Sequence, residues 1–294
     1  MTKKSSNHRH LLGAPVRDHI IDEVRTYVDA AGKMGKIVSI AVDGNAEVEV
    51  YIRNQARMAA RVGLDFDQQM WSRDITQDAC KSRIQDMNDD PSVLGIIIQR
   101  PLPPHINIRS LQSAVHPLKD LEGMNPASIG NIIYSDIALV PCMAAASVEM
   151  IKATGLTLPG LEVVMIGHSE IVGRPAAMML MAEGATVTIC HHMTRSVATH
   201  SRRADVVLVA VGSPHLIGAD MIKPGAVVID IGINRIVTDD GTSHIVGDVD
   251  TAAVAEVAGW ITPVPGGVGP VTVAVLMRNA KTAHMRQTQI GWRA

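Results

Sequence analysis

The sequence predicts an α/β protein in two halves, the second of them a doubly wound parallel sheet. Three observations carry this expectation. From Leu161 onward, short apolar runs alternate with helical patterns: strand Glu162–Ile166, helix Val172–Glu183, strand Thr186–Cys190, a helix near Arg195–Arg203, then strands Asp205–Val211 and Ala226–Ile231. That is the order of parallel strands joined by crossover helices. The run Leu94–Ile98 is wholly apolar, as a strand covered on both faces should be. Finally, Val163-Val164-Met165-Ile166-Gly167-His168-Ser169-Glu170-Ile171-Val172-Gly173-Arg174-Pro175 passes from an apolar strand through a glycine turn into an Ala/Met/Leu-rich helix. Bare backbone followed by a helix N-terminus makes a phosphate cradle. Its spacing, G-x-S-x-x-x-G-x-P, departs from G-x-G-x-x-G, so on its own the motif is a weak sign.

The other elements follow in order. Val16, Ile20, Ile21, Val24, Tyr27, Val28 and Ala31 recur at helical spacing. Lys36–Val42 reads as a strand ended by the turn residues Asp43-Gly44-Asn45. Val48, Tyr51, Ile52, Gln55, Met58, Ala59 and Val62 share one helix face. Phe66–Trp71 is a second strand and Gln77–Met87 a helix. The strand Leu94–Ile98 runs into Gln99-Arg100-Pro101-Leu102-Pro103-Pro104, a rigid loop at a carboxyl strand end, where open α/β sheets place ligands. Ile106–Val115 is helical, Lys119–Met124 a charged turn, and Pro141–Thr154 a helix linking the halves. Gly247-Asp248-Val249 suggests a further short strand. Ile261–Pro270 is a stiff Pro/Gly loop with Val264-Pro265 as a candidate cis bond, and a last helix, Val271–Met285, starts under Pro270.

Composition narrows the function. At 294 residues the chain suits one large or two ordinary domains. A net charge of −2 and 2% aromatics give no basis for nucleic-acid binding. No apolar run is long enough for a membrane span. The polar start, residues 1–12, reads as a disordered tail without a signal peptide's apolar core. Cys80, Cys142 and Cys190 are too few and scattered for a disulfide framework, which points to a reducing, cytoplasmic setting. His191-His192 lacks a supporting Cys or carboxylate at ligand spacing, so no metal is expected.

Together, Gln99-Arg100-Pro101-Leu102-Pro103, His116–Asp120, Gly167-His168-Ser169 to Pro175, Gly225–Asn234, Val246–Val249 and Thr262–Pro270 resemble the methylenetetrahydrofolate dehydrogenase/methenyltetrahydrofolate cyclohydrolase family. The resemblance covers nearly the whole chain after about residue 12. It implies a folate-binding catalytic domain (13–142 with a C-terminal helix, 270–287) and an NADP-binding Rossmann domain (143–269), flanking a cleft, usually in a homodimer. Such enzymes pass hydride from 5,10-methylenetetrahydrofolate to NADP, then hydrolyse the methenyl product to 10-formyltetrahydrofolate.

Residue by residue, the resemblance implies Tyr51, Gln55, Gln99 and Glu122 as the catalytic group, with Leu102, Pro265, Gly266 and Gly267 also against the folate. Gly167, His168, Ser169, Val172 and Gly173 would hold the cofactor's diphosphate. Arg174, His192 and Arg195 are candidates for its 2′-phosphate, since no acidic residue ends the second strand to favour NAD. Gly212, Ser213 and Ile233 would line ribose and nicotinamide, and Asp230 would be structural. Three motifs depart from the family pattern: Gln55 stands for lysine, Glu122 for the second aspartate of an Asp-x-Asp-Gly turn, and Met143-Ala144 for Thr-Pro. A glutamine amide cannot serve as a general base near neutral pH. Hydride transfer mainly needs alignment. The expected activity is therefore NADP-dependent dehydrogenation with a weak or absent cyclohydrolase. The alternatives are a full bifunctional enzyme in which Gln55 with a water, or Glu122, moves the proton; a pocket repurposed for another tetrahydrofolate one-carbon transfer, demethylation-linked; and a non-catalytic folate- or nucleotide-binding paralogue.

Overall fold

The structure, a computed structural model, describes residues 9–44, 46–237 and 241–292. In chain order its strands and α-helices are β1 (Arg9–His10), α1 (Gly13–Ala31), β2 (Lys36–Val42), α2 (Ala46–Arg61), β3 (Asp65–Trp71), α3 (Gln77–Asp89), β4 (Val93–Ile98), α4 (Ile108–Ala114), α5 (Pro126–Ile133) and α6 (Cys142–Lys152). There follow β5 (Glu162–Ile166), α7 (Gly173–Ala182), β6 (Thr186–Cys190), α8 (Val197–Ser201), β7 (Val206–Val209), β8 (Val227–Asp230), β9 (Asn234–Val237), β10 (Ser243–Val246), α9 (Thr251–Ala255), β11 (Trp260–Ile261) and α10 (Val268–Gln289). The chain divides into two compact units. One holds Asp18–Cys142 and the segment from Val273 on; the other holds Met143–Thr272 and the segment up to Arg17.

In the 18–142 unit, β3, β2 and β4 form a parallel sheet in that order. Every residue of β4 is buried, and all of β2 after Lys36. The reason is cover on both faces. Val38, Ile40, Val42, Ile96 and Ile98 pack with Cys80, Ile84, Met87 and Leu111 from α3 and α4. Ala41 packs with Val48 and Ile52 from α2. The edge strand β3 is polar and largely accessible, which blunts a sheet edge. Helix starts are capped by side chains: Thr76 accepts from Ala79 N at 3.2 Å, Asn107 from Ser110 N at 3.2 Å and Asn125 from Ala127 N at 2.7 Å.

The 143–272 unit carries a six-stranded sheet in the order β1-β11-β8-β7-β5-β6, parallel throughout. β7 and β8 are fully buried four-residue strands. The antiparallel pair β9–β10 stands apart as its own two-stranded sheet.

Several expectations change. Arg9 and His10, read as part of a disordered tail, form β1 beside Trp260 and Ile261, and Leu11 N extends the pairing to Ile261 O at 2.8 Å; residues 1–8 of that tail, like Asn45 of the expected turn, lie outside the described residues. In space residues 13–17 pack with the 143–272 segment, and Gly13 N donates to Gly266 O at 2.9 Å. Gly247-Asp248-Val249 is no ladder strand: Val249 makes a single bridge to Ile217, because Asp230 takes the backbone N–H groups of Asp248 and Val249. α10 starts at Val268, so Pro270 lies within its first turn rather than ahead of it. α5 has no counterpart in the sequence reading; it is short and holds Gly130. Val264-Pro265 is cis as expected, and Arg100-Pro101 is cis as well.

Candidate functional site

In the 18–142 unit the backbone gathers the expected catalytic group at the carboxyl ends of β2 and β4. Gln99 directly follows β4 and donates through Nε2 to Gln55 Oε1 at 2.7 Å and to Ser39 Oγ at 2.9 Å. Gln55 is 1% exposed and Gln99 5%, so both amides are fixed and desolvated. With its oxygen engaged, Gln55 has its NH2 free for the Tyr51 hydroxyl one turn earlier, and it opposes the rise in the Tyr51 pKa. Tyr51 itself is 40% exposed, yet burial of its phenol, with Cys142 and Glu122 alongside, pushes its pKa up. The Gln55 side chain therefore faces a packed polar site, not solvent.

Glu122 arrives from the loop after α4. Three contacts fix that loop. The buried Lys119 ammonium donates to Met87 O, Asn88 O and Asp90 O at 2.8, 2.7 and 2.7 Å. Asp120 pairs with the sheet at Ile96 and accepts from Asn125 N at 2.6 Å and Ser128 Oγ at 2.8 Å. Gly123 takes φ +66°, with no room for a Cβ against the Val140 backbone. Glu122 Oε2 then accepts from Ile98 N at 3.0 Å. Burial pushes the Glu122 pKa up to about 7; the Ile98 bond and Arg100 oppose the rise, and Asp120 adds to it. This carboxyl is half-buried, close to Tyr51 and Cys142, and spends one lone pair on the backbone. Leu102 packs half-buried against the sheet's core.

The glycine turn of the 143–272 unit has the geometry of an anion cradle. Gly167 has φ +111°, and a Cβ there would strike Ala210 O; a Cβ at Gly173 would strike Gly167 O. The Ser169 hydroxyl oxygen accepts from Val172 N at 3.2 Å and Gly173 N at 3.5 Å, tying the turn to the start of α7 and leaving its own proton to donate outward. Arg174 and Arg195 are exposed, as is His192. His168 stands against His191 and His192, with ring centroids 4.6 and 6.2 Å away. Desolvation and the neighbouring His191, Arg174 and His192 hold the His168 pKa below its ordinary value.

Sequence reasoning missed Asp248. It is fully buried and accepts from Val211 N, Gly212 N, Ser213 N and Asn234 Nδ2 at 2.7, 3.1, 2.8 and 2.8 Å. Gly212 and Ser213, expected to line ribose and nicotinamide, have their backbone N–H groups engaged by Asp248. Asp230 is structural as expected: it accepts from Gly232 N, Asp248 N and Val249 N, and burial pushes its pKa up to about 6. Beside it a cavity of about 220 Å³ is lined by Met143, Ile233, Ile245 and the loop Pro263–Pro270. Ile233, Pro265, Gly266 and Gly267 therefore meet at one cavity in this unit. Tyr51, Gln55, Gln99 and Glu122 meet in the other.

Comparison with known proteins agrees with this geometry. The model of the tetrahydrofolate dehydrogenase/cyclohydrolase catalytic domain matches residues 11–122, and that of the same family's NAD(P)-binding domain matches residues 141–288. A bifunctional protein FolD 3 from Roseobacter denitrificans is 69% identical over 97% of this chain and 99% of its own length. Among solved structures, a bifunctional FolD methylenetetrahydrofolate dehydrogenase/cyclohydrolase from Campylobacter jejuni superposes with a TM-score of 0.90 at 34% identity, covering 95% of this chain and 99% of that one. The Trypanosoma brucei enzyme, solved with NADP and an inhibitor, gives 0.85 at 32%, covering 94% and 96%. With both domain models matched and a relative 69% identical along nearly its whole length, the chain belongs to the tetrahydrofolate dehydrogenase/cyclohydrolase family.

Proposed function

We propose that the protein oxidises 5,10-methylenetetrahydrofolate with NADP and also hydrolyses the methenyl product, with Glu122 handling the proton that a lysine would otherwise handle. The observation that carries this reading is the Glu122 carboxyl, poised at about 7 beside Tyr51. Such a pKa suits a general base at neutral pH. The names of relatives at 59–69% identity, all bifunctional proteins FolD, support the two-step reading over the dehydrogenase alone.

NADP supplies the hydride acceptor when bound. The Gly167–Gly173 turn fits its diphosphate, and the absence of an acidic residue after Cys190 removes the usual obstacle to a 2′-phosphate. In the hydrolytic step, ionised Glu122 takes a proton from water as its oxygen bonds to the methenyl carbon. The carbinol then opens: its hydroxyl gives up its proton as the C–O bond becomes a carbonyl, the bond to N5 breaks, N5 receives one proton, and the other is released to solvent, leaving Glu122 ionised again. Gln55 fixes Tyr51 and offers a hydrogen bond, but carries no proton.

That last point sustains a second reading, in which hydrolysis is weak because the buried amide replaces an ammonium. One purified sample assayed for NADPH appearance and for decay of the methenyl absorbance separates the two. Brisk decay supports the first reading; NADPH formation with negligible decay supports the second. We also propose a homodimer, tested by mass in solution.

A further inference from the structure

We propose that His168, His191 and His192 form a site for a divalent transition-metal ion of the zinc type. The sheet register assembles it. Ile166 of β5 pairs with Cys190 of β6, so the chain leaves two neighbouring strand ends side by side, and Gly167 N bonds Cys190 O at 2.8 Å. His168 follows one strand end; His191 and His192 follow the other. The second turn is fixed by Thr194 N to His191 O at 2.8 Å and by His191 N to Thr194 Oγ1 at 2.9 Å.

One ring nitrogen from each histidine lies within 4.8 Å of the other two. Zinc–imidazole bonds of about 2.0–2.1 Å put ligand nitrogens roughly 3.3 Å apart around a tetrahedral ion, so modest ring rotations close the site. Among the described residues, none of the three rings has an ion pair with a carboxylate, and only His191 Nδ1, accepting from Met193 N at 3.2 Å, has a hydrogen bond to its ring nitrogen. Apart from that one bond, the ring nitrogens converge without a donor from the protein, which a cation can satisfy. Three imidazoles with the fourth position open to solvent at exposed His192 describe an exchangeable site, not a closed structural one. Arg174, close to His168, opposes any cation and keeps the affinity modest.

The site shares the Gly167–Gly173 turn, so zinc would compete with the cofactor; that consequence alone rests on the function proposed above. The test is titration of the full chain with cobalt(II) as a spectroscopic stand-in, followed by zinc displacement, and NADPH binding with and without zinc. The expected result is one visible d–d signal per chain, displaced by zinc and weakened at least about tenfold in His192→Ala. No such signal, or the same affinity in His192→Ala, overturns the proposal. So does a variant that loses NADPH affinity while its cobalt binding is unchanged, since the rings then serve a phosphate. Cobalt binding that depends on His192, with NADPH affinity indifferent to zinc, upholds the metal site and removes the cofactor from this turn.

Discussion

Replacing Glu122 by glutamine tests the proton-handling role most directly. The substitution keeps an acceptor for Ile98 N and removes only the titration. In the folded chain the carboxyl holds its proton up to about 7, against an ordinary 4.5. Between those values the native state carries a proton that the unfolded chain has released. Stability therefore falls as pH rises through this window, and levels off above about 7. At 1.36 kcal/mol per pH unit the loss is at most about 3 kcal/mol, reduced by the solvent that reaches this half-buried group. Urea unfolding at pH 5 and pH 8 should show wild type losing stability relative to Glu122→Gln by a substantial part of that amount. Methenyl hydrolysis by wild type should climb with pH to a plateau, since only about a tenth of Glu122 is ionised one unit below its pKa. The variant should hydrolyse slowly, without that inflection. Parallel unfolding curves, together with an unchanged rate profile, would refute both the raised pKa and the role built on it.

Three other changes bear on the same account. Gln55→Lys should raise the ratio of methenyl hydrolysis to NADPH formation by about a hundredfold or more, the usual scale of a proton-transfer contribution, and an unmoved ratio counts against the amide as the limiting feature. Gly173→Ala places a methyl on Gly167 O; weaker NADPH binding in fluorescence titration and a loss of about 1–3 kcal/mol in stability are expected, and full retention of both would mean the turn is not the cradle. Asp248→Ala strips acceptors from three backbone N–H groups and the Asn234 amide, so thermal unfolding should report a loss of about 3 kcal/mol or more.

The sequence exposed those parts of the fold whose causes are local. β2 and β5 were readable to the residue because buried parallel strands are largely apolar runs between turn residues; β6 is half-exposed, and its β-branched Thr186-Val187-Thr188-Ile189 is what marks it. What escaped depends on partners distant in the chain. β1 is two polar residues whose only reason to be a strand is the edge offered by Trp260–Ile261. The pair β9–β10 was hidden by short strands whose polar and apolar residues match no buried run. In the site, Gln55 could be placed on the face of Tyr51 by helical spacing, but its bond to Gln99 spans 44 residues and has no local sign. Asp248 sat in a quoted motif, yet nothing near it in sequence announces that it closes the 211–213 turn. The three histidines illustrate the same limit: two are adjacent, and the third is supplied only by strand register.

Asp120 and Glu122 show why the site's chemistry needed the structure. Both are acids of one short turn, and by sequence alone either could be the reacting carboxylate. Asp120 is 5% exposed, its carboxylate accepts from Asn125 N and the Ser128 hydroxyl, and its backbone carbonyl accepts from Gly123 N. Its lone pairs are spent on holding the loop. Glu122 accepts from one backbone N–H, lies half-buried beside Tyr51, and keeps its remaining lone pairs for a ligand. The longer side chain follows from this division: the loop is pinned by Asp120 and Lys119, so it is the extra methylene of glutamate, not backbone movement, that sets how far the free carboxyl reaches. An aspartate on the same backbone would retreat by about one C–C bond and give up either Ile98 N or the ligand. Glu122→Asp should therefore lower hydrolysis while keeping a titrating acid, with a weaker stability slope between pH 5 and pH 8 as the carboxyl shifts toward solvent. Full hydrolysis in Glu122→Asp would show that reach is not what glutamate contributes.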